Sequence, residues 1–85
     1  MIYEWDERKA SVNIRKRCVS FEQATTVFAD PEAVTYVDPD QSSAEFREIT
    51  IGHTGEGRLV FISHCERGGR MRIISARPVL NQPET

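Results

Sequence analysis

The sequence predicts an α+β domain in which a short strand and two helices precede a four-stranded antiparallel sheet. Two observations lead to this prediction. Helix-capping residues and helix-forming runs occupy the first third of the chain, and alternating polar and apolar residues, separated by glycine-containing turns, fill the second half. Helical runs followed by runs of strands are typical of α+β folds. The length of 85 residues predicts one domain, with both helices on one face of the sheet.

The N-terminal segment predicts a strand and then a covering helix. Residues 2–5 alternate as a short strand does. Asp6 is a good N-cap for the polar, helix-forming run from Glu7 to Arg17. The apolar stripe of this helix is narrow, which is typical of a helix that covers a core. The residues predicted for its buried side are Ala10, Ile14 and Val12. Trp5 is expected either to anchor the helices in the core or to stack on a base.

A second helix is predicted by a capping box. Ser20 is its N-cap, and Gln23 follows three residues later. The helix is expected to run to about Phe28, and Asp30-Pro31 ends it because the residue before a proline disfavours helical backbone angles.

The rest of the chain predicts four strands. They cover residues 33–37, 46–53, 59–62 and 71–76, with hairpin turns over residues 54–57 and 67–70. Residues 59–62 are apolar on both faces, which predicts the central strand. Gly68 and Gly69 allow the positive φ angles of a tight turn. Pro78 ends the last strand, and residues 78–85 are predicted to form a short disordered tail.

The charges are distributed unevenly. Residues 1–40 hold five basic and eight acidic residues, whereas residues 57–80 hold five arginines and a single glutamate. Arginine presents a planar set of donors that matches phosphate or carboxylate oxygens two at a time. The pattern therefore indicates a compact site for a polyanion, and not a basic domain that coats nucleic acid. The alternative is a set of solvated arginines paired with acidic neighbours.

Several classes of protein are disfavoured. No run of apolar residues is long enough for a membrane span, and the N-terminus carries a charge within four residues, so we expect no signal peptide and no membrane contact. Two cysteines without framework spacing favour the reducing cytoplasm. The histidines and cysteines lack zinc-ligand spacing, and no phosphate loop or dinucleotide motif is present, so neither a metal nor a cofactor is predicted.

The arginine-rich hairpin of residues 64–77 brings together the groups that RNA cleavage needs. His64 and Glu66 are expected within reach of Arg72, although the face that each side chain occupies depends on the turn register. A carboxylate or an imidazole could transfer protons while guanidinium groups stabilise the phosphate during attack by the RNA's own 2′-hydroxyl, without a metal. Alternatively, Glu66 and Arg72 form an ordinary cross-strand ion pair, and His64 is a structural histidine.

Further RNA contacts are predicted at the end of the first helix. Lys16 and Arg17 could bind phosphate, together with His64 and Arg70 in the hairpin. Basic residues at a helix C-terminus are also expected from the helix dipole alone.

Six fragments, in order and at matching spacing over residues 3–77, resemble the BrnT toxin family. They are YEWD at 3–6 with Lys9 and Asn13, KRCVSFEQA at 16–24, VFADP at 27–31, Arg47 with Ile51-Gly52, Glu66-Arg67, and RIISAR at 72–77. The chain departs from the family at Arg17-Cys18, where the family has His-Gly. Cys18 therefore places a side chain where the turn between the helices could require positive φ.

The resemblance implies a small bacterial ribonuclease of a type II toxin–antitoxin system with a RelE-like fold, formed here by residues 1–77. Such a toxin cuts RNA and inhibits translation. A BrnA-like antitoxin with a ribbon-helix-helix part neutralises it, and the complex binds DNA at its own operon. The catalytic residues that the resemblance implies are Arg47, Glu66, Arg67, Arg72 and Arg77. Glu66 is the best carboxylate among them for proton transfer.

A non-catalytic binding module is the alternative function. In that case the chain is a toxin relic, and its arginines dock an antitoxin or another acidic partner. A direct DNA-binding regulator is less favoured, because no helix-turn-helix is recognisable and the first helix begins with Asp6 and Glu7.

Overall fold

A computed structural model describes residues 1–40 and 46–79 of the chain. The elements are β1 (Ile2–Glu4), α1 (Glu7–Arg17), α2 (Phe21–Thr25) with a one-turn 3-10 helix (Thr26–Ala29), β2 (Val34–Val37), β3 (Glu48–His53), β4 (Leu59–Arg67) and β5 (Arg70–Pro78). Most of the predicted disordered tail, residues 80–85, lies outside the described residues. The predicted α+β class is confirmed.

Within the described residues the sheet has five strands, in the order β1-β5-β4-β3-β2. β1 is parallel to β5, and the other neighbours are antiparallel. The predicted four-stranded, antiparallel, RelE-like sheet was therefore wrong in detail, because β1 joins as a fifth strand. Tyr3 of β1 faces the core, where its ring stacks on that of Phe28 at a centroid distance of 5.5 Å. β4 is the central strand, as predicted.

The predicted helix starts are confirmed by their caps. The Asp6 carboxylate accepts the N–H groups of Arg8 and Lys9 at 2.8 and 3.4 Å. Ser20 and Gln23 exchange both hydrogen bonds of the capping box. α2 proper ends at Thr25, and a 3-10 turn replaces the predicted continuation to Phe28.

The buried side of α1 differs from the prediction. Ala10 and Asn13 are buried, whereas Val12 is exposed and the Ile14 side chain is 49% exposed. Residues 10 and 13 are one helical turn apart and face the sheet together. Burial of a polar amide at this position is tolerated because hydrogen bonds to backbone groups satisfy it.

The core lies between the helices and one face of the sheet, which we call the helix face. Its buried side chains include Phe21, Val27, Val60, Ile62 and Ile73. Trp5 packs edge-on against the Phe21 ring, with centroids 5.9 Å apart, so it is a core anchor. We call the opposite side of the sheet the open face.

A bulge in the β4–β5 hairpin rearranges the arginines. Ser63 pairs with Ser75 and His64 pairs with Ile73, so Ile74 is the extra residue. Regular strand alternation would place Arg72 and Arg77, five residues apart, on opposite faces, but the extra residue inverts the alternation beyond it. Arg72 and Arg77 therefore both lie on the open face. Gly68 and Gly69 form the hairpin turn with φ angles of +60° and +79°, as predicted.

Candidate functional site

The open face of the sheet carries a basic cavity of about 460 Å³. Three guanidinium groups from separate parts of the chain line it, those of Arg17 in α1, Arg47 just before β3 and Arg77 in β5. We call this site the arginine cavity. Its other polar lining residues are Asn13, Tyr36, Asp38, Asp40, Ser63 and Ser75. Such a combination of cations and hydroxyl groups is suited to an oxyanion such as a phosphodiester.

Asn13 brings the end of α1 next to β5. Its Oδ1 accepts the Ala76 N–H at 3.2 Å, and its Nδ2 donates to the Ala76 and Val19 carbonyl oxygens at 2.7 and 2.9 Å. Arg17 lies one helical turn beyond Asn13, and Arg77 follows Ala76 in β5. The buried amide therefore holds two of the three cavity arginines side by side.

The turn after α1 uses a left-handed backbone. Cys18 has φ 60° and ψ 31°, and its N–H donates to the Ile14 carbonyl at 2.9 Å. The expectation of positive φ at this position is confirmed. The Cys18 carbonyl accepts a hydrogen bond from Arg58 Nη1 at 2.7 Å. Lys16 lies beside this turn and, with Arg17 and Arg77, lines an adjoining cavity of about 450 Å³.

The cavity arginines are held in different ways. Arg47 Nε lies 4.0 Å from the Asp38 carboxylate, and Arg47 Nη2 donates to the Asp40 carbonyl at 3.4 Å. The Arg77 guanidinium lies over the Phe61 ring, 5.3 Å from its centroid, in a cation–π arrangement. Two of the three guanidinium groups are thus oriented by side chains that line the same cavity.

The hairpin tip, which comprises Glu66, Arg67, Arg70 and Arg72, lies away from the arginine cavity. Arg72 Nη1 and Arg70 Nη1 lie 3.1 and 3.7 Å from the two carboxylate oxygens of Glu4. Glu66 is paired with Met71, and Arg72 with Cys65, so Glu66 and Arg72 point to opposite faces. The expected proximity of Glu66 to Arg72 is therefore not found. Glu4 takes its place because β1 lies beside β5.

His64 is buried on the helix face. Its Nε2 lies 2.7 Å from Thr50 Oγ1, which lies 2.7 Å from Thr35 Oγ1. Its ring is nearly perpendicular to that of Phe28, with the centroids 5.1 Å apart. Burial lowers the pKa of His64, and the nearby Glu48 charge opposes this shift. The RNA contact predicted for His64 does not fit this position, because the packed core separates the imidazole from solvent.

The structure thus divides the predicted site residues. Arg17, Arg47 and Arg77 come together with Lys16 nearby, whereas the hairpin-tip residues lie outside the cavity lining. Sequence reasoning missed Tyr36, Asp38, Asp40, Ser63 and Ser75. Ser63 and Phe61 are two residues apart in β4 and therefore share a face, so strand alternation is the sequence signal that relates this serine to the cavity. No local signal placed residues 36–40 beside the arginines, because that contact depends on the pairing of β2 with β3.

Neither a metal cluster nor a membrane-spanning helix is found in the described part of the chain. Among residues 1–40 and 46–79, no three histidine, cysteine or acidic side chains are grouped as metal ligands. The helices in the same ranges are too short and too polar to cross a bilayer.

Comparison with known proteins adds two similarities. Residues 5–82 match the family model described as the ribonuclease toxin BrnT of type II toxin–antitoxin systems. The fold is similar to the crystal structure of the Brucella abortus ribonuclease toxin BrnT, with a TM-score of 0.67 and 22% sequence identity over 93% of this chain and 97% of that chain. This identity supports a shared fold only. No curated protein matches the sequence.

Proposed function

This chain belongs to the BrnT family of ribonuclease toxins of type II toxin–antitoxin systems, and we propose that it cleaves RNA at the arginine cavity without a metal. The observation that carries the proposal is the convergence of Arg17, Arg47 and Arg77 from three distant parts of the chain on one cavity. Guanidinium groups can bind the non-bridging oxygens of a phosphodiester two at a time.

The reaction that fits this cavity is attack by a ribose 2′-hydroxyl on the adjacent phosphorus. The bond from the 2′-oxygen to phosphorus forms while the bond from phosphorus to the 5′-oxygen breaks. A base accepts the proton of the 2′-hydroxyl, and an acid donates one to the departing 5′-oxygen. The excess negative charge on the phosphorane is stabilised by preorganised donors, here the three arginines. This is the positive charge that a metal ion supplies in other nucleases.

We propose that the acidic side chains of the cavity carry out the proton transfer. Asp38 and Asp40 line the cavity beside Arg47, and Tyr36 adds a hydroxyl group. Glu66, the carboxylate that the family motif favours, lies on the other face of β4. We therefore propose Asp38 or Asp40 as the proton acceptor, and we expect Glu66→Gln to retain more activity than Asp38→Asn.

The arginines of the hairpin tip extend the basic surface. Arg72 lies on the open face with Arg77, because of the bulge at Ile74. RNA bound across this face would present its scissile phosphate to the cavity and a flanking phosphate to Arg72. In this proposal Arg67 and Arg70 contact RNA at the edge of the site and do not take part in the chemistry.

In the cell, we propose that cleavage of RNA in the cytoplasm inhibits translation and that an antitoxin resembling BrnA neutralises the enzyme. The antitoxin's ribbon-helix-helix part would provide the DNA contact of the complex. The family's assignment to toxin–antitoxin systems supports an antitoxin partner and an RNA target.

A non-catalytic binding module is the second candidate. The observation that favours it is the replacement of the family's histidine by Arg17, so that no histidine is present in the described lining of the cavity. In this case the arginines would bind acidic groups of the antitoxin, and no bond would be cleaved.

The deciding experiment is cleavage of total bacterial RNA by the purified protein in EDTA. Wild type is compared with Arg47→Ala and Arg77→Ala, and with Arg15→Ala as a matched control on the exposed side of α1. We expect wild type and the control to cleave, and folded cavity variants to lose about 100-fold or more in rate. Cleavage only after addition of a divalent metal would contradict metal independence. A folded wild type that binds the antitoxin but never cleaves RNA would support the binding module.

A further inference from the structure

β2 is an edge strand with an unusual sequence. It is the last strand in the sheet order, and its only strand neighbour among the described residues is β3. Residues 30–40 read DPEAVTYVDPD, in which an uncharged centre lies between two acidic ends and no basic residue occurs. Natural edge strands usually carry charges that prevent pairing with another chain. Val34–Val37 carries none.

The side chains of β2 are exposed on both faces of the sheet. All four residues are exposed, with Val34 at 60% and Val37 at 47%. The aromatic ring of Phe46, just before β3, is also exposed. Exposed β-branched and aromatic residues on an edge that no other strand of residues 1–40 and 46–79 covers are the features of a strand that receives another strand.

The backbone register shows which groups an added strand would meet. Asp38 N–H donates to the Arg47 carbonyl at 3.0 Å, so this pair is hydrogen-bonded. Hydrogen-bonded and non-hydrogen-bonded pairs alternate along antiparallel strands. The backbone N–H and C=O groups of Thr35 and Val37 therefore point away from β3.

We propose that β2 is the docking edge for an extended segment of the antitoxin, apolar in its centre and basic at both ends. This inference rests on the proposed function, which supplies an antitoxin as the partner. The acidic ends of the strand, Glu32 and Asp40, are both exposed and complement basic residues of the partner.

The same charges disfavour the other occupants of this edge. In an antiparallel pair of two copies, Glu32 of one copy approaches Asp38 and Asp40 of the other. Like charges on neighbouring strands destabilise the pairing. RNA is disfavoured along this edge because its phosphates would meet carboxylates at both ends of a segment that, unlike the cavity, contains no basic residue.

Docking at β2 also explains how a partner could block the enzyme. Tyr36 lies in the middle of β2 and lines the arginine cavity, as does Asp38 at the end of the strand. A strand added beside β2 therefore lies at the rim of the cavity. The part of the antitoxin that continues from this strand can cover Arg17, Arg47 and Arg77 and exclude RNA.

The experiment is a calorimetric titration of this protein with the protein encoded by the adjacent reading frame, which measures the affinity of the complex. The variants are Val34→Lys, which adds a charge to the edge, and Val37→Pro, which removes an outward N–H that β3 does not use. Val12→Lys, at an exposed valine of α1, is the matched control. We expect each edge variant to weaken binding about tenfold or more, and the control to bind as wild type does.

Two further measurements test charge and register. Glu32→Lys should weaken binding about threefold or more at low salt, with a smaller effect at high salt. Hydrogen exchange of the Thr35 and Val37 amides should slow in the complex. The free edge variants should keep the circular dichroism spectrum and the cooperative urea unfolding of wild type, which shows that they are folded.

The outcomes separate the docking edge from the proposed function. Wild-type affinity in both edge variants, with unchanged exchange at Thr35 and Val37, would overturn the docking edge and leave the ribonuclease untouched. If the free protein forms a dimer and Val34→Lys dissociates it, the occupant of the edge is a second copy of this chain. That outcome would overturn the proposal that the antitoxin docks there. A wild type that cleaves RNA but does not bind the neighbouring protein would overturn both the partner and its docking edge.

Discussion

The side-chain amide of Asn13 and the backbone of Ala76 form a reciprocal pair of hydrogen bonds. Asn13 Oδ1 accepts the Ala76 N–H at 3.2 Å, and Asn13 Nδ2 donates to the Ala76 carbonyl at 2.7 Å. β1 pairs with residues 70–72 of β5. Further along β5, where β1 has ended, the Asn13 amide satisfies the backbone N–H and C=O groups of Ala76 in its place. One side chain thus attaches α1 to the sheet and sets the position of Arg17 relative to Arg77.

Replacement of this amide should destabilise the protein. Asn13→Asp keeps the acceptor but loses the donor to the Ala76 and Val19 carbonyls and places a carboxylate beside them. We expect the free energy of unfolding in urea to fall by about 2–4 kcal/mol. The exposed Ser11→Ala, two residues earlier in α1, should change it by less than about 0.5 kcal/mol. Equal stability of Asn13→Asp and wild type would contradict the role of the amide.

The left-handed turn at Cys18 predicts a stabilising substitution. A side chain in this backbone region costs about 1–2 kcal/mol, whereas glycine adopts it without a clash but has greater freedom in the unfolded chain. We expect Cys18→Gly to raise the free energy of unfolding by about 0.5–1 kcal/mol. Cys18→Ala, which keeps a Cβ atom, is the control and should show no such gain. If Cys18→Ala raised the free energy of unfolding by the same amount, the effect would come from loss of the thiol and not from the backbone conformation.

Burial of His64 predicts a pH dependence of stability. Because burial lowers its pKa in the folded state, the unfolded chain binds the proton more readily. The contribution to stability is therefore complete above about pH 6.5 and falls as the pH decreases below it, by at most about 1.4 kcal/mol per pH unit. Urea unfolding at a series of pH values checks this. His64→Gln should remove the dependence in this window, and an unchanged slope in that variant would assign the dependence to another group.

The pairing of Glu4 with two arginines predicts a variant that binds RNA more tightly. Glu4→Gln removes the carboxylate that holds Arg70 and Arg72. Its negative charge then no longer offsets the two positive charges that face RNA. We expect affinity for a short 2′-O-methyl RNA, which has no free hydroxyl to attack, to rise about two- to threefold at low salt. The exposed Glu22→Gln is the matched control. Unchanged or weaker binding by Glu4→Gln would exclude the hairpin tip from the RNA surface.

Interactions between residues close in sequence were sufficient to predict where the two helices begin and where the last hairpin turns. The Asp6 cap, the Ser20–Gln23 capping box and the Gly68-Gly69 turn depend on residues within three positions of each other, and all are confirmed. The apolar run at 59–62 likewise predicted the central strand. These features follow from backbone preferences and short-range hydrogen bonds, which a single segment of sequence contains.

The sequence by itself determined the α+β class, the helix caps and the family, through fragments whose spacing is specific. Only the tertiary structure decided which arginines meet. The bulge at Ile74 puts Arg72 and Arg77 on one face, and β1 gives Arg72 the partner Glu4 instead of Glu66. The physical reason is that strand register and neighbours depend on the burial and hydrogen bonding of the whole sheet. A shift of one residue reverses the face of every side chain beyond it.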